Sequence, residues 1–174
     1  IVPYRGRNLF VNNTFTDGGA MQLYGSAADV IVAGNKGARI DGFFTWGLNP
    51  HGWGWQPAWT SQFLDNELTE GSGYGARIWG PAFFGIATSN SNEQYPGPLA
   101  RGNVFRRNVL HSDSYIRVEG NTVDTLVEGC AIKHSGTGIR VGKTATGTVL
   151  RKNVFEDVAK PLDGDGSGAA VVAP

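Results

Sequence analysis

Three arginines, Arg77, Arg117 and Arg140, lie in short runs of alternating polarity bounded by glycine: YGARIWG, YIRVEG and GIRVGK. Such runs read as β-strands, in which every second side chain faces the same way. A guanidinium is a charged planar fork of donors that fits a carboxylate, so arginines sharing one strand face would hold an acidic ligand; the alternative is an ordinary solvated β-surface. Trp79 and Glu119 stand beside them in the same runs. A second group lies in GLNPHGWGWQPAWT, where His51, Trp53, Trp55 and Trp59 are set among Gly and Pro with no regular apolar period. Gly and Pro mark an ordered loop whose rings either stack on the C–H faces of sugars or pack the loop onto the protein. His51 is a candidate proton donor or a loop hydrogen bonder. A third group joins Glu70 and His111 to Asp17, Asp113, His134 and Asp157, all in turn-like contexts. Carboxylate and imidazole there suit acid and base work or a hard cation such as Ca²⁺, and are also what any polar turn prefers.

The elements that position these groups follow from composition and spacing. Fifteen basic and fifteen acidic side chains cancel over 174 residues, which removes the bulk attraction to nucleic acid. Apolar runs are too short to insert in a membrane. Apolar residues make up 40% of the chain while glycine reaches 26 residues, so a folded chain with frequent turns is expected, and long helical stripes are missing. The single cysteine, Cys130, excludes an internal disulfide. The start IVPYRGRNLF has no signal-peptide pattern.

An internal repeat organises the whole chain. The pattern apolar-x-x-Asn-x-apolar occurs as FVNNTF, FLDNEL, FRRNVL and LRKNVF, with VAGNKG and VEGCAI as variants. The markers at 13, 35, 66, 108, 130 and 153 are separated by 22, 31, 42, 22 and 23 residues, so the base unit is about 22. A unit this short cannot bury its own apolar face, and coils must stack through parallel strands, with the marker asparagines forming an internal ladder. The second strand of each coil is expected to turn Leu23, Trp46, Ile78, Val118, Val141 and Leu162 inward. That puts Gln22, Thr45, Arg77, Arg117, Arg140 and Pro161 in one outward column, and Tyr24, Gly47, Trp79, Glu119, Gly142 and Asp163 in the next. The two long intervals add segments at the same turn of adjacent coils, the tryptophan loop and one carrying Phe83, Phe84 and Tyr95. Tyr24, Trp79, Tyr95, Glu119 and Arg140 therefore join the three loop tryptophans and His51 as expected substrate contacts.

This spacing resembles the right-handed parallel β-helix of the pectate-lyase-like superfamily along essentially the whole chain. The resemblance implies an all-β right-handed solenoid, and the marker count and chain length give six to seven coils in a single domain over 1–174. Its ends fall in mid-coil, so a piece of a longer solenoid is expected, with further coils or other chains at open edges. It also implies polysaccharide as the partner and a secreted or cell-surface setting. Lyases of this kind take a proton beside a uronate carboxylate with a basic residue, a role for Arg77 or Arg117, while Glu70 and Asp113 could hold Ca²⁺. The closely spaced aspartates with Gly-His-Gly of polygalacturonases are absent. The expectation is thus a carbohydrate-active solenoid with lyase-type chemistry; a non-catalytic glycan-binding module and a structural part of a fibre, spike or adhesin stay open.

Overall fold

The computed structural model describes residues 7–18, 21–23, 28–40, 42–46, 58–70, 83–87, 100–112, 114–120, 122–166 and 171–173. The chain winds through short strands. The first wrap holds β1 (Leu9–Val11), β2 (Thr14–Thr16) and β3 (Met21–Leu23), and the second holds β4 (Ile31–Ala33), β5 (Lys36–Ala38), β6 (Gly42–Trp46) and β7 (Ala58–Trp59). Next come β8 (Gln62–Leu64), β9 (Glu67–Glu70), β10 (Phe83–Ala87) and β11 (Ala100–Arg101), then β12 (Val104–Arg106), β13 (Val109–His111), β14 (Tyr115–Val118) and β15 (Thr122–Val123). The chain continues through β16 (Leu126–Glu128), the long β17 (Ala131–Val141), β18 (Val149–Arg151), the long β19 (Val154–Asp163) and β20 (Val171–Ala173). No helix occurs among the described residues.

Equivalent strands of successive wraps pair in parallel, which makes the protein an all-β parallel solenoid. One wall runs β1-β4-β8-β12-β16-β18-β20. A second, bent wall carries β2-β5-β9-β13 on one side and β3-β6-β10-β14 on the other, joined through β17 and β19. The third is only β7-β11-β15, prolonged by single bridges at Ala28↔Trp59 and Val123↔Thr146. Pairing on all three walls therefore spans about four complete turns, which corrects the six to seven coils expected from the marker count.

The interior follows from the repeat. Val32, Phe63, Phe105 and Val127 are fully buried in register on the first wall, and Leu68, Leu110 and Ile132 on the second. Each such side chain contributes about 1.5–3 kcal/mol by leaving water. Phe63 and Phe105 stack with ring centroids 4.9 Å apart at 11°. At the corners the backbone turns through left-handed residues, among them Asn12, Asp65 and Arg107 at the first, and Asp17, Arg39 and His134 at the second, which is the bend of the second wall. Gly120 does so at the third, where the second wall meets the third wall, and Asp29, Thr60 and Asp124 at the fourth, where the third wall returns to the first. The N–H freed by each turn is taken up by the next coil, as in Asp65 N to Arg106 O at 3.0 Å and Asp124 N to Thr146 O at 3.0 Å.

The asparagine ladder forms as the repeat requires. Asn13 donates to Asn35 Oδ1, Asn35 to Asn66 Oδ1 and Asn66 to Asn108 Oδ1, through both backbone N–H and side-chain amide. Asn35, Asn66, Asn108 and Asn153 also donate Nδ2 to a first-wall backbone carbonyl of the preceding coil, Phe10, Val32, Phe63 and Val127 respectively, so each rung is tied to the coil before it. Cys130 occupies one rung, with Asn108 Nδ2 3.8 Å from its sulfur and its own N–H donating to Asn153 Oδ1.

The second wall corrects the expected outward columns. The strand that pairs with β6 and β14 in the third wrap is β10, whose Gly85 faces Phe44 on one side and Arg117 on the other. The place expected for Arg77 is thus taken by Gly85, and Arg77 lies outside the described residues. Phe83 and Phe84 belong to this strand and not to an inserted loop. Leu23 pairs with Thr45, one residue short of the expected Trp46, which pairs with Ala87. Between β17 and β19 a constant offset of 23 residues sets Arg140 opposite Asp163 and Ile139 opposite Leu162, so Pro161 is not the neighbour of Arg140. Arg117 opposite Arg140 and Val118 opposite Val141 stand as expected.

Candidate functional site

The site is built on β14 and the neighbouring stretch of β17. Along β14, Ile116 and Val118 are fully buried, so Tyr115 and Arg117 project outward, and Glu119 follows on the same side. The pairing of β14 with β17 brings Arg140 beside Arg117 on the next coil, a step of about 4.8 Å. Two guanidiniums at that spacing repel, and Glu119 is placed to offset this. Its Oε2 accepts from Arg117 Nε at 2.6 Å, and its Oε1 lies 2.9 Å from Arg140 Nε. The Glu119 side chain is 17% exposed, against 31% for Arg117 and 49% for Arg140, so the carboxylate sits inside and the guanidiniums outside.

Backbone contacts hold this carboxylate in place. Thr122 Oγ1 donates to Glu119 O at 2.7 Å, and both Thr122 N–H and Thr144 Oγ1 donate to Gly120 O at 2.8 Å. Gly142, whose N–H donates to Val118 O at 2.8 Å, leaves the floor open: a Cβ there would come within 3.1 Å of Glu119 Cγ. Tyr115 shares the outward side, and its phenol titrates above the ordinary tyrosine range because burial penalises the phenolate more than Arg117 favours it. The strand run YIRVEG carried the signal for Tyr115, since alternation sets it on the face of Arg117 and Glu119.

The third wall meets the second at this corner. Of the three long segments between strands, 47–57 and 88–99 connect the ends of β6 and β10 to β7 and β11 across this corner, whereas 71–82 connects β9 to β10 at the second corner. The extra length of the third wrap is therefore divided between two turns and does not all fall at the one expected. Trp59, the one loop tryptophan among the described residues, closes β7; it is 40% exposed and in register with Arg101. His51, Trp53, Trp55, Trp79, Tyr24 and Tyr95 lie outside the described residues.

Glu70 and His111 stand away from this cluster, at the second corner. Glu70 lies 3.4 Å from Arg39 Nη1, and Arg39 also grips Asp17 through Nε and Nη2. That hydrogen bond holds the Asp17 carboxyl below the usual carboxylate range. His111 Nε2 lies 3.7 Å from Glu67 Oε1, and His134 Nδ1 lies 3.2 Å from Asp157 Oδ2. Asp17 and Glu70 are therefore engaged by one arginine across coils, and Glu67 and Asp157 each lie beside a histidine of a neighbouring coil. Among the described residues no three His, Cys, Asp or Glu side chains group to hold a metal ion, and Asp113 lies outside them. Asp163, in register with Arg140, has Lys160 at 4.0 Å.

The chemistry available at the second-wall corner is that of donors. Arg117 and Arg140 offer charge-assisted hydrogen bonds to an anion lying along the coil axis, oriented from within by one shared carboxylate. Comparison of the chain with protein-family models, with curated proteins and with solved structures finds no match.

Proposed function

We propose that the protein binds an acidic extracellular polysaccharide along the outer flank of the solenoid, over Arg117 and Arg140. The observation that carries this reading is the pair itself: two guanidiniums on adjacent coils, on one outward column, both more exposed than the carboxylate they share. A repeating anionic polymer laid parallel to the coil axis meets one arginine per rung. Exposed Trp59, at the end of β7 on the short third wall, adds an aromatic face of the kind that packs on sugar rings.

The three-walled coil and its asparagine ladder support placing the chain with the pectate-lyase-like solenoids. Elimination at a uronate is the catalytic form of the same reading, with Arg117 nearest the ligand. The donor contacts of Arg117 with Glu119 favour binding over proton abstraction, so recognition is the primary role in this proposal. A secreted or cell-surface setting follows from the ligand.

A glycan array that includes polyuronates, sulfated polymers and neutral polysaccharides tests the proposal. Retention of acidic polymers alone supports it, and retention of neutral ones alone overturns it. Absorbance of a new C=C bond during incubation with a polyuronate separates elimination from binding without turnover.

A further inference from the structure

We infer that Glu119 is an internal competitor for the ligand's anionic groups, which makes the flank selective for densely charged polymers over isolated acidic sugars. The inference rests on the binding site proposed above and adds the charge density of its ligand.

Glu119 touches both guanidiniums at once, one carboxylate oxygen to each. Its seat is prepared, because the side chain lies across Gly142, where a Cβ would stand 3.1 Å from Cγ and 3.2 Å from Cβ of Glu119. The carbonyls of Glu119 and Gly120 are fixed by threonine hydroxyls, so the carboxylate does not swing clear with the turn. A ligand carboxylate or sulfate approaching Arg117 and Arg140 meets donors already engaged by an anion of the same chemistry. Both arginines already share the Glu119 carboxylate, and one added anion gains little from the cluster. A polymer that brings an anion to each rung recovers the loss through several simultaneous contacts, because after the first the others form intramolecularly. Glu119 thus rejects single charges while holding both arginines one rung apart, a use of repulsion to sharpen selection.

Isothermal titration of a polyuronate and of the corresponding monomeric uronate, into the parent protein, Glu119→Gln and Glu119→Gln/Arg140→Ala, tests this. Glutamine keeps the size of the side chain and one acceptor oxygen but removes the charge. The expected result is that Glu119→Gln binds the polymer roughly ten-fold more tightly, acquires measurable affinity for the monomer, and loses both gains when Arg140 is also removed. Circular dichroism of each variant confirms that the fold is intact. Parent binding that is unchanged or weakened in a folded Glu119→Gln overturns the inference and leaves the binding site standing, since Glu119 would then only position the arginines. Absence of polymer binding in both parent and Glu119→Gln overturns the site itself.

Discussion

Asn66 donates both its backbone N–H and its side-chain amide to one oxygen, Asn108 Oδ1, at 3.0 Å each, although the two residues are 42 apart in the chain. The long inserted segment between them changes nothing at this rung. Both asparagines are fully buried, so the ladder is the fixed spine against which every outward residue keeps its place. Neighbours in a polar network of this kind support one another, and a gap leaves several groups without partners.

Replacing Asn66 with leucine removes the acceptor of Asn35 N–H and Nδ2 and the donor to Val32 O. Each buried group left unpaired costs about 1–3 kcal/mol, so a loss of several kcal/mol is expected in urea denaturation, seen as a lower midpoint. A midpoint equal to the parent's would mean that the ladder is not a stabilising spine.

Cys130 gives a second, pH-dependent test. Burial pushes its thiol from an ordinary 9.0 up to about 11. Between those values the unfolded chain releases the proton before the folded one does. The stability this residue contributes is therefore whole below about pH 9 and falls as pH rises toward about 11, by up to about 3 kcal/mol. Urea midpoints at about pH 8 and about pH 10.5 should diverge less in Cys130→Ala than in the parent. A thiol reagent should label the native protein slowly and the urea-unfolded protein at once.

The coil-to-coil ion pairs act at the other end of the pH scale. Arg39 holds Asp17, Arg107 holds Asp65 and Lys133 holds Glu156, and each carboxyl titrates below its ordinary range. Their contribution is present above the unfolded carboxylate range and is lost as pH falls through the folded values. All are exposed enough for salt to screen them. The thermal midpoint should fall modestly as the buffer is acidified from about pH 5 to about pH 3, and the fall should shrink in high salt. A fall of the same size at both ionic strengths would assign acid sensitivity to buried groups instead.

Gly142→Val is expected to displace Glu119 and leave the stack of coils in place. A Cβ at 142 meets the Cα, Cβ and Cγ of Glu119 at 3.1–3.2 Å, and branching there adds to the crowding. A cost of about 1–3 kcal/mol is expected from such overpacking, with a changed affinity for acidic polymer. Unchanged stability together with unchanged affinity would show that the carboxylate does not need that seat.

The repeat made the ladder and the parallel stacking legible, and it placed the tryptophan segment at its corner, while the extra length of the third wrap, expected at that same corner, is divided between 71–82 and 88–99. Asparagine at one position per turn has few physical meanings other than a rung, and VEGCAI could be recognised as the same rung with sulfur in place of an amide. The second wall was harder. Both YGARIWG and AFFGIA follow a marker strand, and alternation alone cannot choose between them; interstrand pairing selects Phe83–Ala87 and moves Arg77 out of the arginine column. The third wall escaped the reading because its strands are two residues long, too short to show a period. Arg117 and Arg140 were correctly stacked, while the shared grip of Glu119 on both depends on rotamers that a sequence does not encode.

The central claim, that the flank at Arg117 and Arg140 receives an acidic polymer, is tested most directly by titrating a polyuronate into the parent protein and a folded Arg117→Ala/Arg140→Ala variant at low and high salt. Saturable binding by the parent that weakens with salt, and falls roughly ten-fold or more in the variant, is the predicted result. Equal binding by both proteins, or none by the parent, contradicts it.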